Sequence, residues 1–172
     1  MSFDKPLHRW GKVELSPKQR AAFNAIESLL ASQPVYAPIC LIGAFGSGKT
    51  TLARYWLAQH FDNPEARYVS AGRPLLNGLK QEESLARMGG NPAKILPLLQ
   101  LGLSELLEEA LADEQAVVLD NLEVVQPYGV SLEKAALPYT RQGKAVLLCL
   151  SSDKKANFHM NISRTECHCF EI

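Results

Sequence analysis

The sequence predicts an α/β fold: a parallel sheet of about five strands with helices on both faces. Three observations carry that prediction. Short apolar runs at Ile39–Ile42, Ala116–Leu119 and Ala145–Leu150 alternate with stretches of helical periodicity, as strands buried on both faces do. The first run leads directly into Gly43-Ala44-Phe45-Gly46-Ser47-Gly48-Lys49-Thr50, which reads G-x-x-x-x-G-K-T and opens a helical pattern. The second run ends in an acid, Asp120.

The elements follow in order. Residues 1–14 read as an extended N-terminal arm, with Trp10 and Val13 as anchors, ahead of a single domain at 15–172. Ser16-Pro17-Lys18-Gln19 is a helix start, with Ser as N-cap, Pro at the first helical position and Gln three residues after the cap. Ala22, Phe23, Ile26, Leu29 and Leu30 keep helical spacing to about Ser32. Pro34 and Pro38 bracket the link to the first strand, and a helix is expected from Thr51 to about Phe61. Tyr68–Ala71 reads as a second strand. Residues 72–93, rich in Gly and Pro, read as loop with a short helix around Lys80–Met88. A longer helix from Ala93 or Pro97 to Ala112 carries Leu96, Leu99, Leu103, Leu106, Leu107 and Leu111 along one face. Ala116–Asp120 is the third strand, Leu132–Arg141 a helix interrupted by Pro138, Ala145–Ser151 a fourth strand and Thr165–Ile172 a last one.

Composition bounds the function. Length and a hydrophobic content of 47% suit one compact domain and exclude wholesale disorder. With 18 basic and 18 acidic residues, no global field drives the chain onto nucleic acid or anionic lipid. No apolar run approaches the roughly 18 residues of a membrane span, and the polar N-terminus is unlike a secretion signal, so a cytoplasmic location is expected. Cys40 and Cys149 fall within apolar strands. Cys167 and Cys169, flanking His168 and with His159 upstream, share one strand face by period-two alternation and read as buried thiols before metal ligands.

The octapeptide carries chemistry. In a strand–loop–helix unit its glycines let backbone N–H groups turn around a polyphosphate, and the helix N-terminus faces the same anion. Residues 43–50, with Thr51 in the first helical turn, are therefore the expected ATP-binding segment. Lys49 is expected at the β- and γ-phosphates, and the Thr50 hydroxyl on Mg²⁺. Asp120, at the carboxyl end of a strand beside the loop, is the expected second magnesium partner. A hydrolytic site needs a carboxylate near it to deprotonate water. Asn121 occupies the adjoining position and is a poor base. Glu123, two residues on, can substitute if the chain turns back, so hydrolysis is expected to be slow or assembly-dependent.

At these residues the chain resembles the AAA+ ATPases, through the phosphate loop at 43–50, the acid-ended strand at 116–120 and the further buried strand at 145–151. The resemblance implies a three-layer P-loop NTPase fold. It also implies that Ser151 or Ser152 positions water near the γ-phosphate, as the residue called sensor 1 does. Ile162-Ser163-Arg164-Thr165 before the last strand is similar to the Ser-Arg pattern of clamp loaders and initiators, which implies Arg164 as a finger on a neighbouring subunit's ATP. Arg141 and Arg54 are weaker candidates. Two departures stand out: Asn121 replaces the family's Glu, and Ile172 is the last residue where a helical lid normally follows. An AAA+-like domain without the lid is the expectation.

The length and the stretch Leu119-Asp120-Asn121-Leu122-Glu123 resemble the small BrxF-type proteins of type III bacteriophage-exclusion (BREX) systems. That likeness implies a phage-defence ATPase with partner defence proteins near DNA. Leu15-Ser16-Pro17-Lys18-Gln19 is also similar to the adenine-reading segment of helicase motors, where a Gln amide pairs with the base, although Gln19 serves equally as the capping-box residue.

Three functions compete on the sequence. The first is an oligomeric ATP-driven switch or motor, a ring or filament of identical chains. The second is a small-molecule or nucleoside kinase, with Arg73 and Arg87 as clamps. The third is an ATP-binding module with little hydrolysis.

Overall fold

A computed structural model of the chain describes residues 8–32, 34–81, 92–152 and 167–172. Strands β1 (Ile39–Gly43), β2 (Tyr68–Ser70), β3 (Ala116–Asp120), β4 (Ala145–Ser151) and β5 (His168–Glu171) form one sheet in the order β2-β3-β4-β1-β5. Every neighbouring pair is parallel. Helices α1 (Pro17–Ser32), α2 (Lys49–His60), α3 (Gly72–Gln81), α4 (Pro92–Ala110) and α5 (Leu132–Thr140) cover it.

Two apolar clusters lie one on each face. Alternate strand residues Cys40, Ile42, Val117, Leu119, Val146, Leu148 and Leu150 pack with α3, α4 and α5. Their neighbours Ile39, Leu41, Ala116, Val118, Leu147 and Cys149 pack with α1 and α2. This is the three-layer α/β fold that the apolar runs predict. Leu99, Leu103, Leu107 and Leu111 recur every four residues and are each 1% exposed, so α4 and the turn after it are held down by one stripe. Each such leucine contributes about 1.5–3 kcal/mol by leaving water.

Local chemistry sets the helix ends. The Ser16 hydroxyl accepts from Gln19 N at 3.3 Å while Gln19 Oε1 accepts from Ser16 N at 2.8 Å, a complete capping box. Ser131 caps α5 through Lys134 N. Its backbone is clamped by the Gln100 amide of α4, which accepts from Ser131 N at 3.0 Å and donates to Ser131 O at 3.3 Å.

Several expectations need correction. The N-terminal arm is not extended throughout: Arg9–Lys12 is a 3₁₀ turn. Trp10 packs against the second apolar cluster, whereas Val13 is 42% exposed. Of the stretch expected as loop, Gly72–Gln81 is helical instead, with Leu75 buried against α4. Tertiary burial there overrides the poor helix propensity of Gly and Pro. The helix expected around Lys80–Met88 falls mostly outside the described residues. α4 begins at Pro92 and contains Pro97, so Pro97 is neither its start nor its end. β2 stops at Ser70, and β5 begins at His168. Finally, β4 lies between β1 and β3, so the strand of Asp120 is not the immediate neighbour of the loop strand.

Candidate functional site

β1 delivers the glycine-rich loop at the carboxyl edge of the sheet. There Gly43 lies opposite Ser151 of β4, and Ser152 N donates to Gly43 O at 3.0 Å. The backbone packs tightly at Gly43, where an added Cβ would stand 2.8 Å from Ile172 O and 2.4 Å from Ser47 Oγ. Gly48 is the N-cap of α2 at φ 92°, a conformation that side-chain-bearing residues rarely adopt. Because Gly48 has no side chain, no side-chain cap competes for the first-turn N–H groups of α2. Those groups and the helix dipole favour an anion at that end.

Lys49 is only 7% exposed, and its Nζ donates 2.9 Å bonds to the carbonyls of Gly43 and Ala44. The ammonium is thus stationed within the loop itself. Phe45, at the loop tip, is 55% exposed. A cleft of about 390 Å³ opens here, lined by Phe45, Gly46, Gly48, Lys49, Thr50 and Thr51 on one side and by Asp120, Asn121 and Glu123 on the other. Its size falls in the range of small-ligand sites, roughly 300–1,000 Å³.

Asp120 is 3% exposed and takes three donors. Thr50 Oγ1 reaches Oδ2 at 2.5 Å, the Tyr68 hydroxyl reaches Oδ2 at 2.7 Å, and Asn121 N reaches Oδ1 at 2.8 Å. These bonds offset the cost of removing a carboxylate from water. For the Tyr68 phenol, burial and then the bond to Asp120 push the pKa well above its ordinary value.

The chain turns back immediately after Asp120. Asn121 adopts φ 57°, ψ 42° and is the sole non-glycine residue of positive φ among the described residues. A 3₁₀ turn at Leu122–Val124 follows and brings Glu123 to the cleft wall, half-buried. Asn121 Nδ2 donates to Ser70 Oγ at 2.7 Å, tying the turn to the end of β2. Further along, the buried Gln126 amide bridges to the end of β4: its Nε2 donates to Ser151 O at 3.1 Å, and its Oε1 accepts from Ser151 N at 3.2 Å. Ser151, itself wholly buried, is therefore held in place from the next 3₁₀ turn, Gln126–Tyr128.

Other expected residues lie elsewhere. Both ends of the Gln19 amide are engaged, Oε1 in the capping box and Nε2 donating to Gly48 O at 3.0 Å. That arrangement makes Gln19 a brace under the loop. Arg54 stacks on aromatic rings, Arg141 is exposed after α5, and Arg73 is exposed on α3. Arg164, Arg87 and His159 lie outside the described residues. Cys40 stands opposite Cys169 across β1 and β5, and Cys167 joins the same apolar cluster. Its hydrogen bond with Cys167, together with burial, raises the Cys40 thiol far above its usual range. Among the described residues no group of three or more His, Cys, Asp or Glu is arranged to hold a metal ion. Nor is any described helix long and apolar enough to cross a membrane.

The residues present fit a magnesium nucleotide. Thr50 and Asp120 supply the hard oxygen donors that Mg²⁺ takes, at the uncapped start of α2 beside a lysine. Sequence reasoning missed Tyr68 and Gln126. Tyr68 was discoverable only through the strand register that sets Ser70 opposite Asp120, and no local signal marks Gln126.

No family model and no curated protein matches the chain. Among solved structures it is similar to domain III of the replication initiation protein DnaA from Thermotoga maritima, at 18% identity and a TM-score of 0.49, over 97% of this chain and 69% of that one. It is also similar to AMPPCP-bound DnaA from Aquifex aeolicus, at 16% identity and a TM-score of 0.43, over 98% of this chain and 51% of that one.

Proposed function

We propose that the chain is a magnesium-dependent ATP-binding protein of AAA+ type, which hydrolyses ATP slowly or on assembly into an oligomer. The observation that carries this reading is the meeting of Thr50 and Asp120 at the mouth of a glycine-rich, lysine-bearing loop. In that role Lys49 exchanges its loop carbonyls for phosphate oxygens, and the α2 N–H groups hold the anion. Thr50 and Asp120 would hold Mg²⁺, which would supply positive charge to the bound polyphosphate. Glu123, returned to the cleft by the Asn121 turn, orients a water and takes its proton. Ser151, fixed by Gln126, stands at the polar end of the strand between loop and acid.

The oligomeric part of the reading rests on Arg164, whose place in sequence resembles the trans-acting finger of clamp loaders. A ring or filament of identical chains follows from it, as a finger must reach a neighbour's site. Phage defence, with partner defence proteins on DNA, is the biological setting suggested by the resemblance to BrxF-type proteins. Mass measurement of the complex formed with MgATP, with and without duplex DNA, tests assembly, and phosphate release under the same conditions tests hydrolysis. A monomer at high concentration with MgATP would remove the trans-acting site.

A second reading has one observation in its favour. The Asn121 amide, standing where a base is expected, is engaged by Ser70. An ATP-binding module with little hydrolysis would show tight nucleotide binding without turnover, even when assembled.

A further inference from the structure

Tyr68 belongs to none of the motifs. It opens β2, the edge strand, where its polar end could face solvent, yet its hydroxyl turns inward to the same Asp120 oxygen that Thr50 reaches. The ring is held in that pose. The Arg54 guanidinium from α2 lies 4.3 Å over the Tyr68 ring and 5.1 Å over the Trp10 ring. Trp10 in turn packs edge-on against Tyr68, with centroids 5.7 Å apart. Trp10 sits in the 3₁₀ turn Arg9–Lys12, and that turn is tethered where Glu65 pairs with Arg9 at 2.8 Å and with His8 at 3.4 Å.

We propose that Tyr68 is a positioning residue for Asp120, and that the turn at residues 9–12 regulates the magnesium site through the Trp10–Arg54–Tyr68 stack. The inference rests on Asp120 being the magnesium partner. Once the Thr50 hydroxyl turns to the metal it releases Asp120 Oδ2, and Tyr68 is then the side-chain donor left on that oxygen. Asn121 N holds only the other oxygen, Oδ1, and the terminal torsion of a carboxylate is broad, so Tyr68 fixes where Oδ2 points. Partners one step removed from a metal typically change its affinity about 10–100-fold. A partner that lifts the N-terminal turn would release Arg54 from Trp10, and with it the ring that aims the hydroxyl.

The test is binding of a fluorescent ADP analogue, first without metal and then as Mg²⁺ is titrated. Tyr68→Phe keeps the ring and the stack and removes only the donor. It should raise the Mg²⁺ half-saturation about tenfold while leaving metal-free affinity as in wild type. Trp10→Ala should raise the half-saturation roughly threefold, the worth of an exposed cation–π contact, and add nothing in the Tyr68→Phe background. A wild-type Mg²⁺ dependence in Tyr68→Phe overturns the positioning role, as does an equal loss of metal-free binding. Additive effects of Trp10→Ala and Tyr68→Phe overturn the route through the stack. Wild-type protein whose nucleotide binding ignores Mg²⁺ overturns the reading of Asp120 itself, and this inference with it.

Discussion

Thr50 Oγ1 and Asp120 Oδ2 stand 2.5 Å apart although 70 positions separate them in the chain. The contact is made over the end of an intervening strand, because β4 lies between β1 and β3. Ser151 ends that strand, and Gln126 pins it from the turn beyond Asp120. Loop, acid and intervening strand are thus one hydrogen-bonded unit.

Asp120→Asn keeps the size of the side chain but replaces one oxygen by an amide nitrogen that faces donors already in place. The gain in nucleotide affinity on adding Mg²⁺ should fall about 10–100-fold, with metal-free binding retained. Stability should drop by about 1–3 kcal/mol, since one buried donor loses its acceptor. Calorimetric titration with and without Mg²⁺ reads the first effect and denaturant unfolding the second, and an unchanged magnesium response would take Asp120 out of the site.

Lys49→Ala removes the ammonium that now bridges the Gly43 and Ala44 carbonyls. Tight ATP binding should disappear because no other cation lines the cleft among the described residues. Equal ATP affinity in wild type and mutant by titration calorimetry refutes the assignment.

Glu123→Gln preserves the shape of the cleft wall and removes the carboxylate proposed as base. Turnover should fall about 10²–10⁴-fold at unchanged nucleotide affinity. Asn121→Gly provides the contrast: glycine tolerates φ 57°, so the return turn survives and Glu123 keeps its place. Steady-state phosphate release decides between them, and a loss confined to the Asn121 variant would move the base away from Glu123.

Arg164→Ala should leave ATP binding intact and suppress turnover of the assembled protein by about 10³-fold, the scale of an arginine finger. Mixing this variant with Lys49→Ala protein should restore turnover if the finger acts between subunits. The absence of complementation, alongside full activity of Arg164→Ala alone, would exclude that role.

Much of this molecule could be read from its residues in order. The apolar runs that become β1, β3 and β4, the Ser16–Gln19 capping box and the leucine stripe of α4 are local signals, each set by a backbone period or a single turn of helix. The phosphate loop is of the same kind, because its conformation depends on its own glycines. α3 was hidden, since Gly72, Pro74 and Gly78 signal a break while the burial of Leu75 under α4 decides otherwise. Glu123 was half-legible: its spacing from Asp120 is in the sequence, but its return to the cleft depends on the left-handed turn at Asn121. The strand order, the hydroxyl of Tyr68 on Asp120 and the Gln126 clamp on Ser151 came from the tertiary structure alone. Each joins segments far apart in the chain through strand register, and register is settled by which faces the whole sheet buries, which no local stretch encodes.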